Sequence, residues 1–389
     1  MTTTFTPSRM VQELVRHSQR PTSRPGSGVI SLAAGDPDFA TPEHISQALT
    51  DALAAGATHY AAPSGDPELR AALADQVADI AGRPFDPSQV LVTHGANAGL
   101  AAVILGAIDP GQRVIVPEPT YSLYADLVRM AGGEVVFLPH REDLHLDLDA
   151  IAAEAPAARM VVVCNPCNPT GAVYGQDELE ELAEIAEEHD LLVVSDEAYD
   201  HLVFDRAPFV SALEIEALAD RLAYVQTFSK TYAMCGWRIG YVAAGREIAE
   251  AAGRVHMALN GPINSAVQRA ALVAVTEPGD WPDRMRREYQ ARRDIVVRMV
   301  SGIEGIELAP PQGTFYAFLR YAAGVSSQDV RRLAMERGVA VRAGSEFGPD
   351  GEGFVRVAFS TARELLIEGM ERLVGVLEEA AAAGSSVSG

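Results

Sequence analysis

The chain has 389 residues, 48% of them hydrophobic and 22% charged, which indicates a globular protein long enough for more than one domain. A formal net charge of −22 argues against a nucleic-acid partner, because phosphate binding relies on a basic surface. No apolar run approaches the roughly 18 residues that span a bilayer, and the first residues lack a secretory pattern, so we expect a cytoplasmic protein without a membrane partner.

The order of the predicted elements indicates an α/β fold. Residues 1–28 are polar and contain Pro21 and Pro25, so we expect an arm before the first packed strand. Apolar strands then alternate with helical patterns such as residues 176–188, which predicts a mostly parallel seven-stranded sheet covered by helices on both faces. The predicted strands are residues 90–93, 113–116, 134–138, 160–163, 191–195, 222–227 and 240–243.

After about residue 285 the pattern becomes that of a smaller α+β domain. An arginine-rich helix over residues 282–300 precedes strands over residues 314–319 and 354–358 and a final helix. The predicted domains are an N-terminal arm with part of the small domain (1–44), a large domain (45–285) and a C-terminal small domain (286–389). Ligands of such sheets bind beyond the carboxyl ends of the strands, so we expect the site there.

Two segments after predicted strands carry candidate ligand-binding groups. Gly95, Ala96 and Asn97 precede a helical pattern, and their backbone N–H groups would suit a phosphate at the helix N-terminus; Tyr121 would suit stacking on a planar ring. Farther along, two Asn-Pro steps predict an irregular extended turn, because residues before proline avoid the α region. That turn projects the amide of Asn168 towards a ligand.

Asp196 ends another apolar strand, and Tyr199 follows it. A carboxylate at a strand end can keep a pyridine nitrogen protonated, and the tyrosine can donate a hydrogen bond to a phenolic oxygen of the same ring. The alternative for the aspartate is an ordinary helix N-cap.

Lys230 is the only lysine in the chain, against thirty arginines. Arginine supplies charge and hydrogen bonds but stays protonated, whereas a carbonyl compound needs an amine that can lose its proton. Thr227 and Ser229 place hydroxyls beside the lysine, and Arg238 follows eight positions later, which together suit a phosphorylated aldehyde. The alternative is a lysine retained by chance at a helix start.

Cys164 and Cys167 have the spacing of redox and zinc sites. No second pair and no nearby histidine completes a metal site, so we predict none.

Taken together, these motifs resemble the class I/II aminotransferases over nearly the whole chain, and especially the aspartate-aminotransferase branch of these fold type I pyridoxal 5'-phosphate enzymes. The resemblance rests on Gly35-Asp-Pro-Asp-Phe39, on Tyr60 with Gly65 and Leu69-Arg70, on Asn165-Pro-Cys-Asn-Pro-Thr-Gly171, on Asp196-Glu-Ala-Tyr199, on Ser229-Lys230 through Gly236-Trp-Arg-Ile-Gly240, and on Arg356.

The resemblance implies a role for each matched residue. Lys230 holds the cofactor as a Schiff base and then moves protons between the substrate α-carbon and cofactor C4′. Asp196 pairs with the pyridine nitrogen, Tyr199 and Asn168 bond the phenolic oxygen, and Tyr121 stacks on the ring. The phosphate is held by Ala96, Asn97, Thr227, Ser229 and Arg238, with Tyr60 from a second subunit. Arg356 binds the substrate α-carboxylate beside Asn168 and the Gly35 backbone, and the shared site implies a homodimer.

One position departs from the aspartate-specific relatives. They carry a lysine two positions after the glycine that aligns with Gly95, where it helps to bind a side-chain carboxylate; this chain has Asn97. The nearest candidate substitute by sequence is Arg254. We therefore expect neutral or apolar donors to serve at least as well as aspartate, unless another arginine restores acidic specificity.

The predicted function is ping-pong transfer of an amino group from an amino acid to a 2-oxo acid. The alternative within enzymes is that the same site leads to elimination, cyclisation or oxidation of an amino acid. A cofactor-binding gene regulator is disfavoured, since no basic helix-turn-helix segment precedes residue 30.

Overall fold

The computed structural model describes residues 5–17, 26, 28–322 and 324–385. The helices are α1 Arg9–His17, α2 Glu43–Ala54, α3 Pro67–Ala81, α4 Ala96–Ala107, α5 Leu123–Met130, α6 Leu148–Glu154, α7 Gln176–Glu188, α8 Phe228–Thr231, α9 Arg246–Asn260, α10 Ser265–Thr276, α11 Trp281–Val300, α12 Ser327–Glu336 and α13 Arg363–Ser385. The strands are β1 Ile30–Ser31, β2 Val90–Thr93, β3 Arg113–Glu118, β4 Glu134–Pro139, β5 Ala158–Cys164, β6 Leu192–Asp196, β7 Leu222–Thr227, β8 Gly240–Ala244, β9 Ile306–Glu307, β10 Tyr316–Tyr321, β11 Val339–Ala340, β12 Arg342–Ala343 and β13 Phe354–Ala358. The arm predicted over residues 1–28 lies partly outside the described residues.

The seven predicted strands of the large sheet are confirmed, in the order β2-β8-β7-β6-β5-β3-β4. All neighbours pair in parallel except β8, which runs antiparallel to both β2 and β7. Strands β5, β6, β7 and β8 are apolar along most of their length and almost wholly buried, because helices cover both faces of the sheet.

Two apolar layers bury the two faces of this sheet. One contains Leu100 of α4 and Leu127 of α5, and the other contains Leu69 of α3 and Leu182 of α7. Each of these leucines is at most 4% exposed. Burial of a leucine side chain contributes about 1.5–3 kcal/mol, so the layers fix the helices and the strand ends that they flank. The mostly parallel α/β fold predicted from the sequence is therefore confirmed.

The C-terminal segment forms a second sheet in the antiparallel order β12-β13-β10-β9, with its own apolar cluster against α11, α12 and α13. Strand β1 pairs in parallel with β11, so the N-terminal segment packs with the C-terminal elements. Strand β10 begins two residues later than predicted because Thr314, at φ 66°, bends the backbone into a turn. Within the described ranges, no helix is long and apolar enough to cross a membrane.

Candidate active site

A cavity of about 630 Å³ lies where β5, β6 and β7 end. The last residues of these strands, Cys164, Asp196 and Thr227, all line it. The structure brings all but one of the predicted site residues to this cavity: Gly35, Ala96, Asn97, Tyr121, Asn168, Asp196, Tyr199, Thr227, Ser229, Lys230, Arg238 and Arg356. The exception is Tyr60.

Lys230 lies on α8, a single helical turn directly after β7. The Thr227 hydroxyl caps this turn by accepting the N–H of Ser229 at 3.2 Å. The Lys230 amine donates to the carbonyl of Gly35 at 2.6 Å and contacts Cys235 Sγ at 3.6 Å. Burial lowers the pKa of this amine, but Cys235, the tyrosines facing it and Asp36 together raise it by more. The surroundings therefore favour the ammonium form of Lys230 in the protein itself.

Asp196 does not cap a helix. Its carboxylate accepts the Tyr124 hydroxyl at 2.7 Å and the N–H of Ala198 at 3.3 Å, and its remaining surface faces the cavity. Burial raises the pKa of Asp196, while these two hydrogen bonds and the charge of Lys230 lower it. A buried carboxylate held in this way is suited to a cationic ring nitrogen, because the cation would relieve the cost of burying the charge.

Tyr199 and Asn168 face the cavity from neighbouring strand ends. The Tyr199 and Tyr316 hydroxyls are hydrogen-bonded at 3.1 Å, and burial raises the pKa of Tyr199 well above its usual value. Asn168 Oδ1 accepts from Arg356 Nη1 at 3.0 Å, so the donors of its amide N–H₂ group are not used by this contact. These are neutral donors at pH 7, as a phenolate oxygen requires.

Arg356 projects from β13 and is 3% exposed. It also donates from Nη2 to the carbonyl of Ala33 at 2.7 Å, and its guanidinium lies 4.0 Å from the ring centre of Tyr316. Its buried Nε has no hydrogen-bond partner among the described residues. Burial lowers the pKa of Arg356, with a further lowering by Arg342, although it remains a cation at neutral pH. A buried guanidinium with an unused donor is suited to binding an anion.

Helix α4 begins at Ala96 and directs its first N–H groups at the cavity. Gly95 precedes it at φ 78°, and a side chain there would meet Arg238 Nη2 at 2.8 Å. The Thr227 and Ser229 hydroxyls are hydrogen-bonded to each other at 2.8 Å on the opposite side. Hydroxyls, a guanidinium and a helix N-terminus together form an anion-binding end of the cavity.

Tyr60 does not line the cavity of its own chain. Tyr60 is 92% exposed, and its backbone forms an isolated β-bridge with the backbone of Asn264. Its role across a dimer stays a prediction, since the structure contains one chain.

Three further residues singled out in the sequence are Arg254, Cys164 and Cys167. Arg254 is exposed on α9 and does not line the cavity of its own chain, so its role as the replacement cation stays a prediction, as for Tyr60. Cys164 and Cys167 are buried free thiols, and no cluster of metal ligands occurs in the ranges that the structure covers.

The cavity residues that were not identified from the sequence include Tyr124, Cys235, Tyr316 and Arg342. Tyr124 had a usable signal, because it lies one helical turn after Tyr121. The positions of Cys235, Tyr316 and Arg342 depend on how the second sheet, or an irregular turn, packs against the large sheet. No local sequence pattern reveals this packing.

Comparison with known proteins agrees with this geometry. A family model described as aminotransferase class I and II matches residues 27–373. The chain is similar to an aspartate aminotransferase of Pyrococcus abyssi, at 38% identity over 90% of this chain and 92% of the relative. It is similar to aromatic-amino-acid aminotransferase 2 of Thermococcus litoralis, at 37% identity with the same coverages. The crystal structure of an aromatic aminotransferase from Pyrococcus horikoshii OT3 superposes with a TM-score of 0.87, at 38% identity over 91% of this chain and 97% of that one.

Proposed function

The chain belongs to the class I and II aminotransferases, a family of pyridoxal-phosphate-dependent enzymes, and on that premise we propose which of its residues hold the cofactor and the substrates. Such an enzyme exchanges the amino group of an amino acid for the oxo group of a 2-oxo acid. The bound cofactor supplies an aldehyde that bonds to amines and a pyridine ring that withdraws electrons from the substrate α-carbon.

The cavity has a fitting partner for each group of this cofactor. The Lys230 amine is the partner of the aldehyde, and Asp196 is the partner of the ring nitrogen. Tyr199 and Asn168 would donate to the phenolic oxygen, and Tyr121 would cover the ring. The phosphate would be held at the N-terminus of α4 by Ala96 and Asn97, together with Thr227, Ser229 and Arg238. One observation carries the proposal: the only lysine of the chain shares a buried cavity with Asp196 and Arg356.

Arg356 binds the α-carboxylate of the amino acid and of the 2-oxo acid. The Nε of Arg356 has no partner among the described residues, and with a terminal nitrogen on the edge that faces the cavity it would supply two parallel N–H donors. A carboxylate prefers this geometry. The Gly35 carbonyl and the Asn168 amide flank this position. With the carboxylate fixed, Lys230 Nζ, once the substrate amine has taken its place on the aldehyde and the lysine amine is neutral, would be the base that removes the proton of the substrate α-carbon and returns one in the reverse direction.

We further propose that the active enzyme is a homodimer in which Tyr60 reaches the phosphate end of the neighbouring chain's cavity. Its almost complete exposure supports this, because a large aromatic side chain of a single chain is seldom left so open.

The experiment incubates the holoenzyme with each of the twenty amino acids and either 2-oxoglutarate or pyruvate. We expect at least one donor to yield its 2-oxo acid together with an equal amount of glutamate or alanine. Release of ammonia from the donor without a new amino acid would instead identify elimination or oxidation and would overturn the proposal.

A further inference from the structure

A second arginine of the cavity lies beside Arg356. Arg342 is the first residue of β12 and stands directly opposite Arg356 of β13 in the antiparallel register, so both side chains leave the same face of the sheet. Both line the cavity, and the Phe347 ring centre is 5.6 Å from the Arg342 guanidinium and 4.8 Å from that of Arg356. Like charges directly opposite each other destabilise a sheet, so this pairing is unfavourable unless an anion lies between or beside them.

The protein itself compensates Arg342 only in part. Arg342 Nε donates to Glu346, whose side chain is completely buried. The same carboxylate lies 3.8 Å from Arg331 Nε, so one negative charge serves two guanidinium groups and leaves an excess positive charge. Among the residues that the structure describes, the two terminal nitrogens of Arg342 have no hydrogen-bond partner, although its side chain is only 17% exposed. Glu346 thus holds one edge of the guanidinium and leaves the other edge available.

We propose that Arg342 binds the side-chain carboxylate of an acidic amino acid, and of the matching dicarboxylic 2-oxo acid, as the residue that determines donor specificity. This rests on the proposed function, in which the cofactor aldehyde takes the Lys230 amine, the phosphate takes Arg238 and the α-carboxylate takes Arg356. Among the described residues that line the cavity, Arg342 is the cation to which this assignment gives no anion of the substrate or cofactor, and it shares Glu346 with Arg331. A poorly solvated charge that is only partly neutralised is costly, so an anionic substrate side chain is favoured over a neutral one.

This inference replaces the expectation of neutral or apolar donors. That expectation followed from Asn97, which stands where aspartate-specific relatives have lysine, and from the absence of any other lysine. A cation that enters the cavity from the second sheet can serve the same purpose from another direction.

The experiment compares charged donors with their neutral amides: aspartate with asparagine, and glutamate with glutamine. Arg342→Gln removes the charge, Arg342→Lys keeps it, and Arg320→Gln is the matched control. Arg320 lies on β10 of the same sheet, but its side chain is 65% exposed and outside the cavity. Arg342→Gln should lower kcat/KM for aspartate and glutamate at least about tenfold while leaving the amides within about twofold. Arg342→Lys should retain part of the preference, and Arg320→Gln all of it.

Equal losses for the charged donor and its amide would overturn the inference, because they would mean that Arg342 only supports the fold through Glu346. Calorimetric binding of glutarate and of butyrate to the holoenzyme gives a readout that needs no turnover. Arg342→Gln should weaken glutarate binding at least about tenfold and leave butyrate unchanged. If the wild-type protein transfers no amino group from any donor, the proposed function fails, whereas the glutarate comparison still decides the role of Arg342.

Discussion

The Lys230 amine donates to the carbonyl oxygen of Gly35, which lies 195 positions earlier in the chain, at 2.6 Å. The N-terminal segment therefore closes over the only lysine, and the closure leaves no space for a side chain at residue 35. A Cβ added to Gly35 would overlap the hydroxyl of Tyr316, the partner of Tyr199.

Gly35→Ala should therefore displace Tyr316 and lower kcat/KM at least about tenfold, since overpacking a close contact costs about 1–3 kcal/mol. The control is Gly375→Ala, at a glycine where an added Cβ meets no atom within 4 Å. Steady-state kinetics of the two variants give the comparison. If Gly35→Ala behaved like its control, the tight contact would have no part in the site.

Tyr124 is expected to position Asp196 by its hydrogen bond of 2.7 Å. The bond stabilises the carboxylate and so lowers the pKa of Asp196; its removal in Tyr124→Phe raises that pKa. Because the ionised form is the one that holds a cationic ring nitrogen, the acid limb of the kcat/KM profile should move to higher pH. At the low end of the profile, kcat/KM should fall roughly tenfold.

The matched control is Tyr174→Phe, which removes another buried hydroxyl, bonded to His140 at 3.1 Å outside the cavity. It should leave the profile in place. Coincident acid limbs for wild type and Tyr124→Phe would rule out the positioning role of Tyr124.

Arg356→Lys keeps the charge but loses the planar pair of donors. Apparent affinity for both the amino acid and the 2-oxo acid should weaken about tenfold or more, while the cofactor stays bound. Arg293→Lys is the control, because Arg293 is a buried arginine that contacts Asp205 at 2.6 and 2.9 Å away from the cavity. It should lower the thermal midpoint without a selective change in KM. Wild-type KM values for both substrates in Arg356→Lys would exclude the proposed contact.

The sequence predicted the large sheet well because most of its strands are short apolar runs, and several of them end in a polar group. Asp196 and Thr227, the last residues of adjacent parallel strands, had to meet at one edge. The sequence could not locate Arg342, because β12 has only two residues and its partner strand lies more than ten positions away. Nor could it show that Arg254 lies outside the cavity of its own chain, since helical spacing does not reveal which face of α9 meets the sheet.

Tyr60 should act in the cavity of the neighbouring chain. A mixture of Tyr60→Phe chains with Lys230→Ala chains would then form hybrid dimers with one intact and one doubly altered site. Sites with wild-type cofactor affinity should appear on mixing, and sedimentation should give a dimer. A fully active monomer, or no recovery on mixing, would contradict a shared site.

The most direct test of the account is reduction of the holoenzyme with borohydride followed by peptide mass spectrometry. We expect the visible absorbance to disappear and a phosphopyridoxyl group to be found on Lys230, with no label and no turnover in Lys230→Arg. A label at the α-amino group instead, or steady turnover by Lys230→Ala without added amines, would contradict the central role of Lys230.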